Sequence, residues 1–145
     1  MEEKVYDLER FVKAQNVGDT YEQALKEIKA GRKRSHWIWF IFPQLKGLGF
    51  SYRSQYYGIE DLDEAKSYLA HNVLGARLVE ISEALLQLSE NDPLVVMGGS
   101  PDDMKLKSSM TLFALASGGA SVFHRVLKKF FAGKMDDRTL RILSK

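Results

Sequence analysis

The stretch LGARLVEISEALLQL, residues 74–88, decides the fold class of this protein. Its apolar residues recur at intervals of three or four, at Leu74, Leu78, Ile81, Leu85 and Leu88. A helix has about 3.6 residues per turn, so this spacing lays one continuous apolar stripe along four turns. Because such a stripe must be buried, the segment predicts an amphipathic helix packed against other elements.

Neighbouring segments carry signals for further helices. Residues 61–64 and residues 19–22 both resemble a capping box, and the first predicts a helix that continues to Ala70. Residues 100–103, Ser-Pro-Asp-Asp, combine a capping hydroxyl, a proline in the first turn and carboxylates at the positive end of the helix dipole. They predict a helix that runs to about Ser117.

Residues 37–42, Trp-Ile-Trp-Phe-Ile-Phe, are the most apolar run of the chain. A continuous apolar run is compatible with a buried strand or a short buried helix. No other segment alternates with period two, so we expect a helix with both tryptophans largely buried. The sequence therefore predicts an all-α fold: a single compact multi-helix domain, residues 1–145, with a buried Trp/Phe-rich segment.

Composition excludes several functional classes. The 145 residues include no cysteine, which removes disulfides, thiolate nucleophiles and cysteine-based zinc sites. His36, His71 and His124 lack metal-ligand spacing and no nucleotide-binding glycine motif is present, so we expect no metal and no cofactor. No apolar run approaches the ~20 residues that span a bilayer. We therefore expect a cytoplasmic protein that does not enter the membrane. The chain length suits one domain.

One segment with potential chemistry is residues 31–44. Arg32, Lys33 and Arg34 directly precede the apolar run. If that run is buried, these cations lie at the edge of the core, where arginine can bind an anion through two hydrogen bonds. The alternative interpretation is a solvated turn in which Ser35 caps the next helix.

The other such segment is residues 98–113. On a helix, Lys105 and Ser108 share one face, while the later turns are apolar on all sides. This helix should enter the core with polar groups at its mouth. The alternative interpretation is a self-capped helix start in which Asp103 pairs with Lys107 and the carboxylates repel anions.

A third region follows the apolar run. The loop at residues 44–51, with Tyr52, Arg53, Tyr56 and Tyr57, could wall a pocket or stack on a ligand ring. Tyrosines at helical spacing are also common as core or boundary residues, so this region has a structural interpretation as well.

Together these features predict a polar pocket where residues 32–37 meet residues 100–109. Its ligand would be a small anion, such as a nucleotide or a metabolite derived from one. The candidate ligand-binding residues are Arg32, Lys33, Ser35, Trp37, Tyr57, Lys105, Lys107 and Ser108. His36 and Asp103 form the candidate catalytic pair, and metal-independent hydrolysis or glycosidic cleavage is the reaction class if the protein is an enzyme.

The alternative function is a non-enzymatic interaction module. Residues 120–145 hold seven basic and two acidic side chains, although the whole chain has a net charge of only +2. A basic face can bind an acidic partner, or nucleic acid through counterion release. The small overall charge predicts at most weak, nonspecific binding of nucleic acid.

Four stretches of the chain resemble one family. They are residues 8–15, GRKRSHWIWFIFPQLKGLG at 31–49, YLAHNVLGARL at 68–78, and GSPDDMKLKSSMTLF at 99–113. On these motifs the chain resembles the domain-of-unknown-function family number 1810, which sometimes carries the label calpastatin-like. The resemblance covers nearly the whole chain and implies a single, mainly helical domain. It implies no substrate, cofactor or catalytic residue.

Overall fold

The computed structural model describes residues 5–145, and within that range the regular secondary structure is helical, with loops between the helices. Its helices are α1 (Glu9–Asn16), α2 (Thr20–Lys29), α3 (Ile38–Ile41), α4 (Tyr52–Tyr56), α5 (Leu62–Ala70), α6 (Leu74–Leu86), α7 (Pro93–Val96), α8 (Asp102–Ser117), α9 (Val122–Phe131) and α10 (Asp137–Leu143). The described residues form no sheet, and one isolated bridge joins Leu45 to Ile59. The all-α prediction is confirmed.

Helix α8 lies at the centre of the fold. It packs against α5 on one side and α9 on another, while α6 packs against α9, α2 and α5. Leu106, Met110 and Phe113 of α8 are fully buried, as expected for a helix that is apolar on several faces. The start of α8 therefore has a fixed position at the edge of the core.

The apolar run at residues 37–42 forms the short helix α3, which confirms the helical prediction. Trp37 and Phe42, at its two ends, are almost completely excluded from solvent. Trp39, inside it, is only partly buried and packs against the core from its edge. Both tryptophans were expected to be largely buried. Trp37 lies in the core, whereas Trp39 lies at its edge.

The capping predictions have mixed outcomes. At α5 the Asp61 carboxylate accepts a hydrogen bond from the Glu64 N–H at 2.9 Å, as predicted. At α2 the prediction is wrong, because Asp19 adopts a left-handed conformation with φ of 54° and its side chain caps no N–H. At α8 the Ser100 hydroxyl also caps nothing, since the helix begins at Asp102 and the Asp103 N–H bonds to the Gly99 carbonyl at 3.3 Å.

Candidate functional site

The two predicted segments meet in the fold. The Lys33 N–H donates to the Val96 carbonyl at 2.7 Å, and the Lys33 ammonium lies 2.8 Å from the Asp102 carboxylate at the start of α8. Gly98 permits this approach, because a Cβ at that position would lie 2.6 Å from the Lys33 carbonyl oxygen. Residues 32–37 are therefore fixed against the beginning of α8.

Glu27 of α2 holds this junction together, and no sequence motif indicates its role. Its carboxylate, 4% exposed, accepts hydrogen bonds from the Arg34 N–H (2.7 Å), the Ser35 N–H (2.9 Å), the Ser35 hydroxyl (2.6 Å) and the Trp37 indole N–H (3.0 Å). Burial alone raises the pKa of Glu27, but these hydrogen bonds and one from Gln23 outweigh it and lower that pKa to about 2. Glu27 is thus a buried, charged and well-partnered carboxylate.

The contacts of Glu27 change the interpretation of three predicted ligand-binding residues. Trp37 is fully buried and its indole N–H donates to Glu27, so its side chain is not accessible to a ligand. The Ser35 hydroxyl donates to Glu27. The Lys33 ammonium is buried, contacts Asp102 and the Ser35 carbonyl, and lies 4.9 Å from the centre of the Trp37 ring. These residues stabilise the junction through their mutual contacts.

The candidate catalytic residues do not meet. His36 is exposed, whereas Asp103 is buried, with its Oδ1 atom lacking a partner, and no hydrogen bond or ion pair joins the two side chains. The predicted Asp103–Lys107 pair is absent as well, because the Lys107 ammonium lies over the Phe131 ring, 5.9 Å from its centre. The geometry therefore offers no acid–base pair at these positions.

Two further predicted ligand-binding residues, Arg32 and Ser108, also lie apart from any shared pocket. Arg32 is exposed at the end of the turn after α2, and it forms no ion pair within residues 5–145. Ser108 is buried, and its hydroxyl donates to the Met104 carbonyl at 3.0 Å. Neither side chain lines the cleft described next.

A cleft lies beside the junction, on the side where Trp39 reaches the surface. We name it the Trp39 cleft. Its enclosed space is small, about 10 Å³ or roughly one water molecule, and the volume is about 220 Å³ when the open mouth is included. It is lined by Ile38, Trp39, Phe42, Gln44, Ser54, Tyr57 and Lys105. Two of the predicted ligand-binding residues, Tyr57 and Lys105, therefore come together here.

Several hydrogen-bond donors in and around this cleft have no acceptor. The Trp39 indole nitrogen is buried and has no hydrogen-bond partner. Lys105 and Arg53 both lie over the Trp39 ring, with the Lys105 Nζ 5.2 Å and the Arg53 Cζ 4.9 Å from its centre. Neither cation forms an ion pair in the described part of the chain, and no carboxylate lines the cleft.

The carboxylate of α8 that lies one turn before Lys105 is already neutralised. Asp102 lies one turn before Lys105 but forms its ion pair with Lys33. Tyr57 adds a further donor, because burial, together with the nearby Tyr56, raises the pKa of its phenol and keeps it protonated. The cleft is consequently electropositive and rich in donors.

The loop at residues 44–51 closes one wall of the cleft, as expected. A Cβ on Gly49 would lie 2.5 Å from the Ser54 hydroxyl oxygen and 2.7 Å from the Ser54 Cβ. Only glycine therefore lets the loop approach α4 this closely. A larger residue would displace the wall that carries Gln44 and Ser54.

The basic residues of the carboxy-terminal region are divided among several surfaces. Arg125 and Lys128 line one groove on α9 with Ser121 and His124. The Lys129 ammonium instead donates to the Leu88 carbonyl at 2.6 Å and to Asn91 at 2.8 Å. Arg138 donates to the Leu48 carbonyl at 3.0 Å, and Arg141 lines a separate groove beside Asp137. These basic side chains therefore line at least two separate grooves, and Lys129 and Arg138 are held by backbone carbonyls.

Two further features bear on the class of the protein. Across residues 5–145, no helix is both long and apolar enough to cross a bilayer. In the same range, no three His, Asp or Glu side chains are grouped closely enough to hold a metal ion.

The comparisons with other proteins agree with this fold. A crystal structure of the conserved hypothetical protein Rv1873 from Mycobacterium tuberculosis is similar, with 45% sequence identity and a TM-score of 0.92. The match covers 97% of this chain and 98% of that one. No curated protein matches this chain significantly. The model of the family described as "Protein of unknown function (DUF1810)" matches residues 5–143, and the chain belongs to that family.

Proposed function

We propose that this protein binds a small anionic metabolite in the Trp39 cleft. The observation that carries the proposal is the buried Trp39 indole N–H, which has no acceptor although two unpaired cations lie over the same ring. A buried donor without a partner costs about 1–3 kcal/mol. An oxygen atom of a bound phosphate or carboxylate would accept this hydrogen bond and remove the cost.

The charge distribution supports an anion over a neutral or cationic ligand. Lys105 and Arg53 contribute two positive charges at the cleft, and the lining residues contribute no negative charge. Hydrogen bonds from charged donors to an oxyanion are shorter and stronger than those between neutral groups. Tyr57, Gln44 and Ser54 can complete the coordination with neutral donors.

The site differs in part from the pocket that the sequence predicts. It retains Lys105 and Tyr57, and it contains Trp39, as a hydrogen-bond donor, in place of Trp37. Arg32, Lys107 and Ser108 have no part in it. The proposal is limited to binding, because His36 and Asp103 do not line the cleft and its remaining residues include no carboxylate to act as a general base.

Isothermal titration calorimetry with inorganic phosphate, pyrophosphate and ribose 5-phosphate tests this proposal. Wild-type protein should bind at least one of these anions, and Lys105→Ala should lower that affinity about tenfold or more, as expected for loss of a charge-assisted hydrogen bond. Lys66→Ala is the matched control, because Lys66 is exposed on α5 outside the cleft. Absence of binding to all three anions, or equal losses in the two lysine variants, would refute the proposal.

A further inference from the structure

Helix α4 exposes aromatic rings next to the mouth of the Trp39 cleft. Tyr52 is 79% exposed and Tyr56 45% exposed. Their rings lie 5.9 Å apart between centres, with planes only 16° from parallel. We name these two residues the tyrosine platform. The two stacked rings form an exposed apolar patch beside the cleft.

The tyrosine platform is continuous with the Trp39 cleft. The Tyr56 ring contacts the Tyr57 ring edge-on, with centres 4.8 Å apart, and Tyr57 lines the cleft. Successive residues of a helix are rotated by about 100°, which orders the side chains around α4 as Ser54, Tyr57, Arg53, Tyr56 and Tyr52. Arg53 thus projects between the cleft and the platform.

The size of the cleft indicates how a ligand would be divided between the two surfaces. Its enclosed space of about 10 Å³ holds roughly one water-sized group, far below the roughly 300–1,000 Å³ of pockets that enclose a whole organic ligand. It therefore admits one oxygen atom of an anionic group, and the other atoms of that group lie at the mouth. The rest of the ligand must extend past Arg53, over the mouth and onto the platform.

Charges around the platform favour the same ligand. Tyr56 also borders a groove that contains Glu60 and Glu64, but Glu64 pairs with Arg10 at 2.9 Å and Glu60 lies 3.9 Å from Lys46. These carboxylates are therefore partnered. Asp7, the third carboxylate of that groove, is exposed to solvent and does not line the Trp39 cleft. Arg53 adjoins Tyr52 in the chain and forms no ion pair within residues 5–145, so a ligand that joins an anion to a ring can contact both Arg53 and the platform.

We infer that the ligand of the Trp39 cleft is a nucleoside phosphate. Its phosphate lies at the mouth of the cleft with one oxygen atom inside, and its base stacks on the tyrosine platform. Bases stack on aromatic side chains through their π-faces with little dependence on base identity. The platform therefore selects a planar ring and not a particular base. This inference rests on the proposed function and names the ligand class for the same site.

The test compares AMP with ribose 5-phosphate, which carries the same phosphate and sugar without the base. Calorimetry should show that wild-type protein binds AMP about tenfold or more tightly than ribose 5-phosphate, which is the range for one stacked base. The double variant Tyr52→Ala/Tyr56→Ala should remove that difference, so that AMP and ribose 5-phosphate bind it with equal affinity. Tyr52→Phe/Tyr56→Phe, which keeps both rings, should bind AMP as the wild type does.

The outcomes separate this inference from the proposed function. Equal wild-type affinities for AMP and ribose 5-phosphate would overturn the inference and leave anion binding standing. Absence of binding to either compound, and to inorganic phosphate and pyrophosphate, would overturn both. A 5′-phosphorylated single-stranded oligonucleotide is included, and binding of it far tighter than that of AMP would reject a free nucleotide as the ligand.

Discussion

Trp37 and Trp39 are two residues apart in the chain, yet their indole N–H groups have opposite environments. The Trp37 N–H donates to the buried Glu27 carboxylate at 3.0 Å, and its ring is fully excluded from solvent. The Trp39 N–H is also buried but has no partner, and its ring carries two cations and borders a cleft. One tryptophan completes an internal network, while the other leaves a donor available.

This difference separates the structural role of Trp37 from the binding role that we propose for Trp39. The Glu27 network satisfies every donor that reaches it, so it stabilises the junction and has no capacity for a ligand. At the Trp39 cleft a donor and two cations lack acceptors, and an exposed tyrosine platform lies beside them. Buried polar groups in folded proteins are nearly always hydrogen-bonded, and the proposed ligand would supply the acceptor that the Trp39 N–H lacks.

The largest expected effect comes from breaking the Glu27 network. Glu27→Ala leaves the Arg34 and Ser35 N–H groups and the Trp37 indole N–H without an acceptor. It also loosens the contacts around the adjoining Lys33–Asp102 ion pair. We expect the free energy of unfolding to fall by about 3–5 kcal/mol in urea denaturation. Glu22→Ala, an exposed glutamate on the same helix, is the control and should change it by less than about 0.5 kcal/mol. A loss below about 1 kcal/mol for Glu27→Ala would show that the network is not structural.

Acid should weaken the same network. Hydrogen bonds hold the pKa of Glu27 at about 2, below its ordinary value of 4.5. The stability that this group contributes is therefore present above pH 4.5 and is lost as the pH falls towards 2, a change of about 3 kcal/mol. Urea denaturation at pH 6, 4 and 3 should show this loss in wild-type protein.

The variant Glu27→Gln isolates this contribution from those of other carboxylates. It cannot titrate at position 27, so its free energy of unfolding should decline less steeply between pH 6 and pH 3 than that of the wild type. Parallel pH profiles of the two proteins would contradict the assigned role of Glu27.

The smallest effect on stability, and the sharpest contrast, comes from a matched pair of tryptophan substitutions. Trp37→Phe removes a satisfied hydrogen bond and should lower the free energy of unfolding by about 1–3 kcal/mol. Trp39→Phe removes a donor that has no partner. Its free energy of unfolding should therefore lie within about 0.5 kcal/mol of the wild-type value or above it. Equal losses in the two variants, measured in urea, would mean that the Trp39 N–H is satisfied in the folded protein.

Local sequence signals predicted most of the helices. The stripe at residues 74–88 predicted α6, the Asp61 cap predicted the start of α5, and residues 100–117 predicted α8 nearly to its ends. The caps at Asp19 and Ser100 were wrong because the preceding residues bring the backbone into the helix along another path. A capping motif specifies which atoms could bond, whereas the chain direction before the helix decides whether they do.

The candidate site was predicted only in part. Lys105 and Tyr57 were identified, since charged and aromatic residues beside apolar runs are visible in the sequence. Trp39, the residue at the centre of the cleft, was expected in the core with Trp37. A signal was available, because two residues separated by one position on a helix are rotated by about 200° and face opposite sides.

The sequence by itself determined that the chain is a single helical domain with the apolar run at residues 37–42 packed into it. These properties follow from local periodicity and composition, which act within a few residues. Only the tertiary structure decided that Glu27 bonds to Trp37, that Lys33 neutralises Asp102, and that Lys105 and Arg53 are thereby left over Trp39. Which charge finds a partner depends on segments far apart in the chain being packed together, and no local pattern contains that information.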